Sequence, residues 1–211
     1  MKAKLFSILL LSSVMGTDAF ADVTLQFSQI SVGRATGFAN NAGVATNGMR
    51  WGIVVSTSNA GFNAGTYDVF DNTVAGFLSV GGLLTDDYFV PSTVTTSALG
   101  ATGGDPGGDG GITTLNPVPF GGATGITDPD PFQLIWFEST PANNSYYGMM
   151  SNGLFVIPTN GTGTSFASTV FGGGTADPIK PANLQFTAIP EPSRMMLLGF
   201  GLVGLFFRRR R

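Results

Sequence analysis

The 211-residue chain contains no cysteine and no histidine. Without cysteine there is no disulfide, so a folded body has to stand on its core alone. Together the two absences remove most zinc-ligand sets, cysteine nucleophiles, serine–histidine pairs and the commonest general base. Charge is scarce as well. Lys, Arg, Asp and Glu make up 11% of the residues, against about 25% in an ordinary soluble domain. The few basic residues crowd into the ends. Between residues 22 and 189 only Arg34, Arg50 and Lys180 remain against eleven acids, a net charge of −8. No nucleic-acid partner is expected of such a body, because phosphate binding needs a basic stripe.

Nor does the body carry an eleven-residue stretch with the 3.6 period of an amphipathic helix. It shows short strand-like runs instead. Val23–Phe27 alternates apolar and polar residues, with a phase shift expected as a bulge near Ser28–Gln29. Thr66–Phe70 and Asp87–Pro91 alternate likewise, Arg50–Ser56 is short and β-branched, and Ser145–Met150, Leu154–Ile157, Ser165–Phe171 and Asn183–Thr187 complete the short runs. Phe132–Phe137 (FQLIWF) is the most apolar and reads as a central strand buried on both faces. Clusters such as NAG, GG and NG punctuate hairpins between these runs.

The expected fold is therefore all-β: one antiparallel β-sandwich, jelly-roll-like, over residues 22–189. A parallel β-helix would need a repeat of about twenty residues, and none is present. Residues 97–131, dense in Gly and Pro, are expected to form one long mobile loop within this single domain.

The ends carry the most specific signals. Lys2 and Lys4 precede an uncharged apolar run, Leu5–Gly16, which leads to Ala19-Phe20-Ala21. A basic start, a short apolar core and small residues at the −3 and −1 positions describe a secretory signal peptide, residues 1–21, cut by signal peptidase after Ala21. At the other end stand Pro190-Glu191-Pro192-Ser193, thirteen apolar residues (Met195–Phe207), and Arg208, Arg209, Arg210 and Arg211. Thirteen helical residues reach about 20 Å against a bilayer core of about 30 Å, so residues 195–207 make a short transmembrane helix, workable with snorkelling arginines. The arginines stay in the cytoplasm and leave the body outside. The two prolines hold an extended tripeptide on the outer side of the membrane.

This tail, about the last 22 residues, resembles the PEP-CTERM sorting signal of Gram-negative bacteria. The resemblance implies recognition near Pro190, Glu191 and Pro192 by an exosortase in the inner membrane. The helix would then be removed, and the body sent to the cell surface or an exopolysaccharide matrix. The body itself matches no characterised enzyme family.

Within the body, candidate chemistry is sparse. Asp105 and Asp109 (GGDPGGDGG) and Asp128 and Asp130 (TDPDP) offer oxygen ligands on flexible turns, as Ca²⁺ favours, although neither spacing is that of an EF-hand loop. Aspartate also simply favours turns. No other cofactor is indicated. Glu138, after the Phe132–Phe137 run, is a candidate for one of the two carboxylates that a glycoside hydrolase requires, with no evident second member. Trp51, Trp136, Tyr146 and Tyr147 can stack on sugar rings, but both tryptophans lie in apolar strands, where core packing is the simpler use. Tyr146 and Tyr147 must point to opposite faces of their strand. The expected function is an exported, non-enzymatic structural component of the cell surface or matrix. The alternatives are a carbohydrate-binding or adhesive module and, last, a secreted glycoside hydrolase.

Overall fold

The computed structural model describes residues 22–28, 38–44, 46, 48–93, 95, 112–166 and 180–187. The expected signal helix (1–21), the apolar segment 195–207 and residues 96–111 lie outside them. Eleven strands follow in chain order: β1 Val23–Ser28, β2 Phe38–Ala39, β3 Arg50–Ser56, β4 Gly76–Val80, β5 Leu83–Pro91, β6 Ile112–Val118, β7 Phe132–Phe137, β8 Tyr146–Met150, β9 Gly163–Phe166, β10 Lys180–Pro181 and β11 Leu184–Gln185. Among the described residues the one helical element is a 3₁₀ turn at Gly122–Thr124. No described helix is long and apolar enough to cross a membrane.

Six strands form the main sheet, in the order β11-β8-β7-β3-β5-β4, antiparallel throughout. Its two central strands, β3 and β7, are apolar on both faces and bury both. On one face, Trp51, Ile53 and Val55 of β3 join Phe132, Leu134 and Trp136 of β7. They meet Val23, Leu25 and Phe27 of β1, with Leu115, Val118 and Phe166, across a second sheet ordered β6-β1-β9. On the other face, Val54, Leu78, Phe89, Ile135, Phe137 and Tyr147 pack with Tyr67 and Phe186. The main sheet thus lies between two cores.

Large aromatic side chains carry both. Phe27 meets Trp51 edge-on at 5.8 Å, Trp136 stacks on Phe38 at 4.2 Å, and Phe186 stacks on Tyr147 at 4.5 Å. A fully buried side chain of this size contributes about 1.5–3 kcal/mol, and eleven of them lie below 2% exposure. In a chain without disulfides, that packing is what the stability rests on. Its fit is tight at Gly148, whose missing side chain makes room for the Trp136 indole.

The main sheet also curls until its edges nearly meet. Between edge strands β4 and β11 runs the stretch Tyr67–Asp68. The Asp68 amide donates to the Ser79 carbonyl of β4 (2.8 Å), and the Thr187 amide, just past β11, donates to the Tyr67 carbonyl (3.0 Å). Two residues therefore bridge the gap that a full strand would fill in a closed barrel, and they leave less open edge for unwanted pairing.

Several expectations change. The all-β, two-sheet reading holds in its coarse form, but the pairing is not purely antiparallel: β1 and β9 run parallel, as do β10 and β2. Period-2 alternation reports which face a residue takes, not the direction of its neighbour. Thr66–Phe70 and Leu154–Ile157 are not strands and contribute single bridges at Asp68 and Val156. The excursion expected over 97–131 is corrected from residue 112 onward, where β6 pairs with β1 and the chain then turns through Gly121–Ile126. Of the bulge expected near Ser28–Gln29, Gln29 lies outside the described residues; β1 has a register shift where Val23 and Leu25 face Val118 and Leu115. The extra residue is on β6, beside Pro117, which has no amide to offer a ladder.

Candidate functional site

The chain leaves the body toward its tail at a strongly fastened point. Leu184 and Gln185 pair with Tyr147 and Tyr146. The Phe186 amide then donates to the Ser145 carbonyl (3.2 Å), and the Asn144 amide to the Phe186 carbonyl (3.3 Å). Besides its amide bond to Tyr67, Thr187 brings its hydroxyl within reach of the Thr66 and Tyr67 carbonyls (3.1 and 3.2 Å) and of Asp68 Oδ1 (3.4 Å). Three residues further on stands Pro190.

Asp68 is the junction of this region. Its side chain, 1% exposed, accepts the Gly81 amide on Oδ1 (3.0 Å) and the Gly82 amide on Oδ2 (2.8 Å). These two glycines form the β4–β5 turn with φ of 60° and 82°, the left-handed pair that a tight two-residue hairpin requires. Burial by itself would raise the Asp68 carboxyl, but hydrogen bonds from Gly82, Ser79, Gly81 and Thr187 hold it below its ordinary value. One carboxylate thus ties the hairpin tip to the exit of the chain.

A second carboxylate sets the position of the first. Asp87, fully buried opposite Ser56, accepts on Oδ2 from the Tyr67 hydroxyl (2.8 Å), the Asn63 side-chain amide (2.8 Å) and the Asn63 backbone amide (3.0 Å). Its Oδ1 is buried without a partner among the described residues. Burial, and then the negative charge of Asp87, push the Tyr67 phenol well above its ordinary pKa. Burial likewise pushes Tyr147, whose hydroxyl accepts the Gly65 amide at 2.8 Å, up to about 12. Next to Asp87 in the chain, Asp86 accepts the hydroxyls of Ser58 and Ser56 on Oδ2, and the Ser58 bond holds this carboxyl low against the opposing effect of burial. These groups fasten the crossover 57–68 onto β3, β5 and β8.

The residues singled out from the sequence fall elsewhere. As candidates for sugar stacking Trp51, Trp136 and Tyr147 are corrected, since each is at most 1% exposed; for the two tryptophans this is the core packing that their apolar strands suggested. Packing the large apolar rings against each other outweighs displaying them. The Trp136 indole donates to the Ala39 carbonyl (3.2 Å), while the Trp51 indole nitrogen is buried with no partner among the described residues. Tyr146, half-buried, packs on the first core while Tyr147 enters the second, on opposite faces of β8.

Asp130 is buried, and its carboxylate accepts the amide and hydroxyl of Thr127 (2.7 and 3.2 Å) and the Asn59 side chain (3.4 Å). It locks a turn. Asp128 is exposed and accepts the Thr159 hydroxyl (2.8 Å). Among the described residues no three acidic side chains come together as a cation would need. Glu138 lies half-buried in the turn after β7, its amide bonded to the Tyr146 carbonyl (3.2 Å). Ala19, Ala21, Asp105, Asp109, Pro190, Glu191, Pro192 and Arg208 to Arg211 lie outside the described residues.

Beside the exit runs an open groove of about 490 Å³ lined by Gly65, Asn144 and residues 183–187. Sequence reasoning missed Asp68 and Thr187, and only the Gly81-Gly82 pair left a local trace there, as a hairpin signal.

Comparison with known proteins locates the tail. A family model described as the PEP-CTERM protein-sorting motif matches residues 188–211. No curated protein and no solved structure matches the chain.

Proposed function

We propose, on the premise that this chain ends in a PEP-CTERM protein-sorting motif and is sorted toward the cell surface with exosortase processing, that the body is a non-enzymatic structural component. It would serve at the cell surface or in an exopolysaccharide matrix, after signal peptidase has removed residues 1–21 and the exosortase has cut near Pro190–Pro192. The observation that carries this reading is where the motif begins. The match starts at residue 188, immediately after Thr187, the last described residue and one hydrogen-bonded to the body. Cutting there removes none of the described strands or their core residues. The other end supports the same plan, since Val23 begins β1 two residues after Ala21. The non-enzymatic part of the reading is supported by the absence of histidine and cysteine and by buried carboxylates engaged in holding loops. Calcium on Asp105, Asp109, Asp128 or Asp130 stays a secondary proposal.

The test is the intact mass of the native protein, taken from the membrane, surface and medium fractions of its host. A chain running from Asp22 to near Pro190, outside the membrane fraction, is expected. A chain still ending at Arg211 in the inner membrane would make the tail a permanent anchor and refute the matrix role. Glu191→Ala is expected to leave export intact and abolish the shortened form.

A carbohydrate-binding module is the second reading. The groove beside β11 favours it, because Asn144, Asn183 and Gln185 present side chains suited to sugar hydroxyls. Titration with host exopolysaccharide decides: saturable heat that Asn183→Ala removes supports this reading.

A further inference from the structure

Leu83 and Leu84 are each 75% exposed. They follow directly on the Gly81–Gly82 turn, in an uncharged stretch from Val80 to Leu84 at the tip of the β4–β5 hairpin. Single exposed apolar side chains are ordinary, but two consecutive leucines at the start of β5 place an exposed apolar side chain on each face of the hairpin tip, a small wedge that water solvates poorly.

The position of the wedge gives it meaning. Asp68 Oδ1 accepts both the Gly81 amide, at 3.0 Å, and the Thr187 hydroxyl, at 3.4 Å. The hairpin turn and Thr187, the last described residue, therefore share one oxygen atom. From Thr187 an extended chain reaches at most about 10 Å to Pro190 and about 28 Å to Met195, where the thirteen-residue apolar run begins. Whatever receives that run lies within that reach of Thr187, and so on the side of the body where the hairpin turn joins Thr187 through Asp68.

We propose that Leu83 and Leu84 dip into the lipid surface beside the sorting tail and hold the body against the membrane while the motif is processed. The inference rests on the sorting role of the tail. Charge argues for lipid contact at this place. A body with a net charge of −8 is repelled by anionic headgroups, so its contact with the membrane is confined to an uncharged apolar tip of the kind that enters the headgroup–acyl boundary. The adjacent carboxylates keep their charge, but Asp68 and Asp86 direct it at donors of the protein itself. Two leucines and a short tether would together set the orientation in which Pro190–Pro192 meets the processing enzyme.

The absence of cysteine allows a direct test. Leu84→Cys and, as control, Ser165→Cys each introduce one thiol into the chain from Asp22 to Arg211. Ser165 is exposed on β9 of the second sheet, across the core from the main sheet. Both are labelled with an environment-sensitive fluorophore and reconstituted into vesicles of phosphatidylethanolamine and phosphatidylglycerol containing a spin-labelled quencher lipid. Flotation establishes that the chain is bound. Several-fold stronger quenching at position 84 than at 165 is expected, and a Leu83→Cys label should behave like that at 84. Equal quenching at 84 and 165 in floated vesicles overturns the inference and leaves the sorting reading standing. A chain that does not float overturns both. Quenching at 84 only in vesicles carrying host inner-membrane proteins also overturns the lipid contact, and assigns the tip to the processing enzyme.

Discussion

Asp68→Asn should loosen the closure of the main sheet, and its cost can be worked from three contacts. The carboxylate accepts Gly81 N–H at 3.0 Å and Thr187 Oγ1–H at 3.4 Å on one oxygen, and Gly82 N–H at 2.8 Å on the other. An amide has one oxygen, so in either orientation its NH₂ faces a glycine N–H. With the NH₂ toward Gly82, one hydrogen bond to a charged acceptor is lost, about 1.5–3 kcal/mol, and the two contacts that survive on the other oxygen become neutral ones, worth about 1 kcal/mol each. Both glycines are exposed, so water can serve the freed amide. That keeps the expected loss near the lower end, about 2 kcal/mol. For a body of this size that corresponds to a Tm lowered by roughly 4–8 °C.

Thermal unfolding of residues 22–189 with and without the substitution measures the loss. Amide exchange at Gly81, Gly82 and Thr187 locates it. The acid limb gives a further check. The folded Asp68 carboxyl sits below its ordinary value, so its stabilisation is present above about pH 4 and disappears as pH falls through the lowered folded value. The gap between wild type and variant should therefore close in acid. A Tm within about 1 °C of wild type at neutral pH, with unchanged exchange at Gly81 and Gly82, would refute the closing role of this carboxylate.

Alkali tests the second core. Burial raises the pKa of both Tyr67 and Tyr147, so the stability they lend is complete below about pH 10 and lost as pH rises above it. For Tyr147 the loss runs to about 12. Urea midpoints should fall across that window and fall less steeply in Tyr147→Phe; parallel curves would contradict the assignment. Gly148→Ala would drive a methyl group into the rigid Trp136 indole. An overpacking cost of about 3 kcal/mol or more is expected, visible as a collapse in soluble yield or a large drop in Tm, whereas a neutral effect would show the indole free to move.

Much of the frame can be read without coordinates. β3 and β7 occupy Arg50–Ser56 and Phe132–Phe137, the runs picked out by their apolar, β-branched and aromatic residues. Burial on both faces leaves a continuous apolar string, and such strings are legible. β6 was not, because Ile112–Val118 carries a proline within Gly-rich surroundings, and a bulge opposite β1 accommodates it. Thr66–Phe70 alternates like a strand, yet its central pair serves as a bridge between sheet edges. The aromatic candidates divide for a related reason. Residue type says that tryptophan and tyrosine can stack on a sugar, but only packing decides whether any face is left to offer.

The C-terminal sorting motif, the all-β class and the alternation that assigns side chains to faces could be read from sequence, because each is written in neighbouring residues: a proline pair and a charge beside an apolar run, and a period of two. The tertiary structure alone decided that β9 lies parallel to β1, that the main sheet curls onto Tyr67–Asp68, and that one carboxylate joins Gly81, Gly82 and Thr187. Asp68 and Thr187 stand 119 residues apart. Local pattern carries no term for such a contact; it exists only because two cores, packed on opposite faces of one sheet, curl its edges together.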